Sequence, residues 1–141
     1  MKVGLMVTGI GVPPGREQNV SGHVQLPMRT AELLREAGDE VHLITTQFRE
    51  GYVLPNVVPD SSLVPLHFVE DGRRRGEIGK QNQKAGYHPL AMVGQLRQIL
   101  RLIRDLDLDV LHLFGMDRMS RLAGVLRLLR SKCPVISTAY R

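Results

Sequence analysis

Short apolar runs alternate along this chain with stretches in which apolar residues recur at helical spacing. Lys2–Thr8 is an apolar run that predicts a buried first strand. Gly9–Asn19 follows as a loop of turn formers, among them Gly9, Gly11, Pro13, Pro14 and Gly15. From Gly22 to Ala37 the apolar positions Val24, Leu26, Met28, Ala31, Leu33, Leu34 and Ala37 predict a helix, with Ser21 as candidate cap and Gly38 as its stop. Pro27 lies inside that stretch and marks either the true start, near Leu26, or a kink. Glu40–Thr46, rich in β-branched residues, predicts a second strand, and Val64–Val69 a third, with Gln47–Leu63 as a loop between them.

The second half repeats the alternation. Glu70–His88 is polar and basic, without regular periodicity. Pro89–Leu106 predicts a helix with proline at its start, apolar at Leu90, Val93, Leu96, Leu100 and Ile103, and wet at Arg97, Arg101 and Arg104. Asp109–Phe114 predicts a fourth strand, Asp117–Leu129 a helix with Asp117 as candidate cap, and Pro134–Thr138 a fifth strand. Nearly continuous apolar strands separated by helices imply an open parallel α/β sheet with helices on both faces, of Rossmann-like type. In such sheets ligands bind beyond the carboxyl ends of the strands, where strand order reverses. Four loops meet there: Gly9–Gly22, Thr46 onward, Phe114–Asp117 (with Gly115 between) and Thr138 onward. The predicted order stops after a strand, leaving a sheet edge uncovered, and reads as one partial domain of a larger protein or half of a pair.

Composition narrows the chemistry. The 141 residues suffice for one domain with a core, and no apolar run approaches the roughly 20 residues of a membrane span. The start of the chain reads as a strand rather than a secretory signal, so a cytoplasmic protein is expected. Cys133 is the single cysteine, which excludes an intrachain disulfide and makes a buried spectator the expected role. The five histidines show neither HxxxH nor HExxH spacing, so no metal site is expected. Nineteen Lys plus Arg against 14 Asp plus Glu favour anionic partners. Nucleic acid is disfavoured, because aromatics are 4% with no Trp and no reading motif is present. Gly72-Arg73-Arg74-Arg75-Gly76 with Lys80 and Lys84, joined by Arg118, Arg121, Arg127 and Arg130, forms a solvated basic surface or a peripheral contact with anionic lipid at the inner membrane face.

The first loop is the best site candidate. A glycine-bearing turn between the first strand and helix brings backbone N–H groups and the positive end of the helix dipole toward an anion. Gly9, Gly11 and Gly15 give GxGxxxG rather than the dinucleotide fingerprint, and the loop is about ten residues too long for the tight dinucleotide turn. The small residues Ser21 and Gly22 allow close approach at the helix start.

Three segments carry a family resemblance. Ser21–Leu26 through Arg29–Thr45, containing Leu33-Leu34-Arg35-Glu36-Ala37-Gly38-Asp39-Glu40-Val41-His42, is similar to the amino-terminal stretch of family-4-type glycosyltransferases of the two-domain GT-B type, a Gly-Gly loop followed by a helix and "GHEV". Asp109-Val110-Leu111-His112-Leu113-Phe114 resembles their "D(V/I)(V/L)H.H", and Cys133-Pro134-Val135-Ile136-Ser137-Thr138 their "PV(V/I).T.H". The segments occur in family order across the chain. The resemblance implies the acceptor-side domain of an enzyme that moves a sugar from a nucleotide-sugar donor to the hydroxyl of an acceptor sugar, glycolipid or small molecule. It implies retention of configuration, no required metal and no cofactor beyond the donor as co-substrate. A carboxyl-terminal donor-binding domain, in cis or as a partner subunit, would complete the enzyme, and this chain by itself would be inactive. The resemblance gives Ser21 and Gly22 the donor diphosphate. His23, His112, Phe114, Gly115, Asp117 and Tyr140 become acceptor or cleft residues, and no catalytic residue is assigned. Ser21 stands where the family has its first glycine, Phe114 where it has the second histidine of "H.H", and Tyr140 where it has the histidine of "T.H", so some donor and acceptor contacts differ.

Two histidines carry alternative readings. His112 shares a strand face with Val110 and Phe114 and reads first as a structural histidine bonded inside the sheet, second as a ligand contact. His23, at the helix start, reads equally as functional or structural. Glu32 and Glu40 have the seven-residue spacing of the family's glutamate pair, but the first sits on a helix and the second opens a strand, so the match is coincidental. A dinucleotide-binding oxidoreductase domain is the competing enzyme class. It needs an acidic residue at the end of the second strand, where Thr45, Thr46 and Gln47 stand.

Overall fold

The computed structural model describes residues 1–46, 50–70, 89–115, 117–129 and 132–138, with the backbone alone for 89, 91 and 117–120. The elements run β1 (Lys2–Val7), α1 (Gly22–Glu36), β2 (Glu40–Thr46), β3 (Leu66–Val69), α2 (Pro89–Asp105), β4 (Val110–Phe114), α3 (Asp117–Leu128) and β5 (Val135–Thr138). They build one five-stranded sheet, ordered β3-β2-β1-β4-β5 and parallel at each pairing. The strands contain few polar residues because helices cover both faces of the central ones. Val3, Leu5, Val7, Val41 and Leu43 pack with Val24, Met28 and Ala31 of α1. On the opposite face Met6, Ile44, Leu111 and Leu113 pack with Ile99 and Ile103 of α2 and Ala123 and Leu126 of α3. The expected open parallel sheet with helices on both faces is the observed architecture.

Local signals set most element ends. Gly38, at φ 90°, ends α1: its N–H bonds the Arg35 carbonyl at 2.9 Å and the Asp39 N–H bonds that of Leu34 at 3.0 Å. The same pair of bonds closes α2, with Asp107 at φ 53° in the glycine's place, Asp107 N–H on Arg104 and Leu108 N–H on Ile103. β3 begins at Leu66 rather than Val64, because Pro65 has no N–H to donate and serves only as acceptor for the Leu43 N–H at 2.9 Å. Pro27 lies inside an α1 that starts at Gly22, so the alternative start near Leu26 is not taken; the His23 carbonyl, four residues back, thereby loses its helical donor. Leu90 and Val93 were expected to face the core, yet they are 75% and 45% exposed. Helix α2 joins the core from Leu96 onward, because a 17-residue helix outreaches strands of four to seven residues.

Candidate functional site

The strand order reverses between β1 and β4, and at the carboxyl ends of these two strands Val7 is the register partner of Phe114. This is the crevice where open α/β sheets bind ligands. The chain leaves β1 through Gly9, at φ 67°, and anchors the loop with buried Ile10. Val12 and Val53 exchange two backbone bonds of 2.9 Å, and the Asn56 N–H bonds the Glu17 carbonyl at 3.0 Å, so the long first loop is tied to the loop before β3. The Gly15 N–H bonds Glu17 Oε1 at 2.9 Å and holds that carboxyl below its ordinary range.

Helix α1 begins at this edge. Val24, in its first turn, belongs to the same apolar cluster as Val7, Ile10 and Phe114. Ser21 occupies the N-cap with extended backbone, but its hydroxyl makes no cap bond to a helix N–H. It shares a 2.7 Å hydrogen bond with Nδ1 of His23 instead, which corrects the expected capping role. Gly22 is exposed, and a Cβ placed on it would touch nothing within 4 Å. The start of α1 therefore presents small residues and main-chain amides at the positive end of a 15-residue helix.

His112 stands on the α1 side of β4, half-buried, with its ring stacked on Phe114 at a centroid distance of 4.0 Å. Its Nε2 shares a 2.8 Å hydrogen bond with Thr138 Oγ1 on β5, and burial lowers its pKa below the ordinary histidine value. The bond gives the ring a structural partner across the ladder, and Thr138, the threonine of the "PV(V/I).T.H" resemblance, is the participant whose partner no motif marked. That pairing became visible only through the register His112–Ile136 and Phe114–Thr138. The Gly115 N–H bonds the Thr138 carbonyl at 3.1 Å and ties the loop after β4 to the same strand. Phe114 is buried in the α1-side core.

Asp117 is the first residue of α3 rather than a flanking cap, and its side chain lies outside the described residues, as does all of Tyr140. The basic run Gly72–Gly76 with Lys80 and Lys84 also lies outside them, as do Arg130 and the side chain of Arg118. Arg127 was expected on a wet surface; its Nε and Nη2 instead donate to the Val135 carbonyl at 3.0 and 2.7 Å, which binds α3 to β5. Glu32 pairs with Arg29 at 2.9 Å on α1 and Glu40 with His42 on β2, in keeping with two unrelated settings. Cys133 is buried, and burial raises its thiol pKa. Gln95 was not foreseen: it is 3% exposed on α2, one turn before Ile99, and its Nε2 has no hydrogen-bond partner in the described structure. Among the described residues no three His, Cys, Asp or Glu side chains gather as a metal site, and no helix is long and apolar enough to cross a membrane.

The fold as a whole superposes on solved structures. MurG from Acinetobacter baumannii superposes with a TM-score of 0.61 at 18% identity, over 96% of this chain and 34% of that one. A glycosyltransferase from Rickettsia africae ESF-5 superposes at 0.55 with 15% identity, over 96% of this chain and 28% of that one. The fold is glycosyltransferase-like. The H286L mutant of ferredoxin-NADP+ reductase from Plasmodium falciparum, with 2'P-AMP, is a weaker likeness at 0.50 and 13% identity, over 99% of this chain and 53% of that one. No family model matches the sequence, and no curated protein matches it. The chain spans about a third of the length of the two transferases.

Proposed function

We propose that this chain is the acceptor-side domain of a nucleotide-sugar-dependent glycosyltransferase of the family-4 type. The observation that carries the reading is the start of α1, with exposed Ser21 and Gly22, at the carboxyl edge of β1 where strand order reverses. Main-chain amides and the helix dipole there suit the diphosphate of a donor whose nucleotide is held mainly by a carboxyl-terminal domain, in cis or as a partner subunit. Ser21 and Gly22 approach the diphosphate. His23, His112, Phe114, Gly115, Asp117 and Tyr140 border the acceptor, a sugar, glycolipid or small molecule. In the reaction the bond from the sugar C1 to the diphosphate oxygen breaks and a bond from C1 to the acceptor oxygen forms. The acceptor's hydroxyl proton leaves with the nucleoside diphosphate. The family resemblance adds retention of configuration and transfer without a required metal or cofactor. The basic run Gly72–Gly76 supports a cytoplasmic protein that touches anionic lipid at the inner membrane face.

The test is to express the complete gene product and measure binding and turnover across a panel of nucleoside-diphosphate sugars. The expected result is binding and transfer or slow hydrolysis of one donor, with this chain alone inactive. Failure to bind any donor would overturn the reading, and binding of a nicotinamide dinucleotide instead would favour an oxidoreductase domain.

A further inference from the structure

A second group of titratable side chains lies apart from the candidate site, on the α2 face of the sheet and toward the amino ends of the strands. His42 of β2 is 6% exposed. Its Nε2 lies 2.9 Å from Glu40 Oε1, and its Nδ1 lies 3.1 Å from Nε2 of His67 on β3. The two rings are 5.3 Å apart between centroids and tilted by 42°. The hydrogen bonds dictate the tautomers. A carboxylate oxygen only accepts, so His42 Nε2 carries a hydrogen. In neutral His42 the other nitrogen is then a lone pair, and His67 Nε2 must donate to it. The relay therefore runs from His67 to His42 to Glu40, and the open lone pair is His67 Nδ1.

This arrangement takes up one proton and not two. A first proton on His67 Nδ1 leaves both hydrogen bonds intact. A second, on His42 Nδ1, sets N–H against N–H and puts two like charges side by side, so the bond between β2 and β3 is lost. That bond matters because β3 is a four-residue edge strand. Its far end is also the link to α2: the Glu70 N–H donates to Gln98 Oε1 at 2.7 Å, and the Glu70 carboxylate lies against Gly94, 2.7 Å from where a Cβ would stand. Among the described residues, neighbouring charges do not replace the relay. Lys2 of β1 is the register partner of Glu40, and Asp39 is paired with the amino terminus. Asp109 accepts from the Lys2 N–H, while Arg97, Arg101, Arg104 and Asp105 of α2 are exposed to solvent. Glu70 stands at the opposite end of β3.

We infer that Glu40, His42 and His67 form a pH-sensitive latch that holds edge strand β3, and through Glu70 its contact with α2, to the sheet at neutral pH and releases it in acid. Desolvation, and then the charge of a protonated His42, lower the pKa of His67 from its ordinary value, so the fold disfavours the doubly protonated pair.

Hydrogen exchange of the full chain at pH 7.5 and 5, expressed as protection factors, tests this. Leu43 donates to the Pro65 carbonyl, and the parallel ladder then turns the Val69 amide toward β2. The Val69 amide should lose about tenfold or more of its protection in acid, as a local opening, while Leu5 and Leu113 keep theirs. His67→Gln retains an N–H donor for His42 and cannot titrate, so it should keep the protection of Val69 equal at both pH values. Histidine NMR titration of the unaltered chain gives a readout that does not depend on a variant folding: His67 should titrate below the ordinary value, and in His42→Asn it should move up toward it. Equal protection of Val69 at the two pH values in the unaltered chain, or the same acid loss in His67→Gln, overturns the latch.

Discussion

Two histidines bridge neighbouring strands in this sheet, one on each side of β1, and they behave differently because of what they touch. His112 of β4 meets a threonine hydroxyl on β5, a partner that can donate or accept and does not ionise near neutral pH. His42 of β2 meets a second imidazole on β3, a partner that competes for the same proton. The β4–β5 bridge tolerates a change of charge on its ring, whereas the β2–β3 bridge tolerates one proton and breaks with two. Both sit within regular parallel ladders, so backbone geometry does not separate them. The cross-strand residue does, and a two-residue shift of register would exchange one chemistry for another.

Strand β1 is the common support of the two halves, and the largest expected effect lies there. Leu5→Ala, at a fully buried position facing α1, should cost about 2–5 kcal/mol in urea unfolding. A smaller loss would mean that the halves hold together without their shared strand. Acid comes next. His67 and His112 both have folded-state pKa values lowered mainly by burial, so the unfolded chain binds more protons. Their contribution to stability is present above about pH 6.5 and is lost as pH falls through the folded-state values. Thermal midpoints should therefore fall between pH 7.5 and 5.5, and His67→Gln should reduce the slope. Thr138→Val removes the hydroxyl from His112 and should cost about 1 kcal/mol in the same unfolding assay. It should leave the acid response of β3 unchanged; if β3 responds, the two bridges are coupled and the contrast fails. The smallest effect on stability is Gly22→Ala, which meets open space and should stabilise the chain by about 0.4–1 kcal/mol. In the complete enzyme the same methyl should weaken donor binding about tenfold if Gly22 lies against the diphosphate, as measured by calorimetry.

How much of this was legible in the residues depends on the range over which each signal acts. Glu40–Thr46 was readable as β2 to the residue, because its β-branched run is bounded by the Gly38 turn. Helix α1 was readable from its spacing and its glycine stop. Leu90 and Val93 were misplaced, since apolar spacing marks a helix face but not where the sheet beneath it ends. Ser21 was correctly put at the helix start, but its hydroxyl bonds a ring two residues on, a choice between near-equal partners that side-chain geometry settles. Arg127 looks like any surface arginine until β5 comes alongside with an available carbonyl.

The order of strands and helices, the class of fold and the position of the glycine loop came from the sequence alone, because periodicity, turn formers and caps act over a few neighbouring residues. The pairing of His112 with Thr138, of His42 with His67, and the burial of Gln95 were decided only in the tertiary structure. They join residues 26 and 25 positions apart, or place one side chain under a helix, and depend on which strand lies beside which and in what register. No local pattern encodes that register; it is set when two layers of helices close on one sheet.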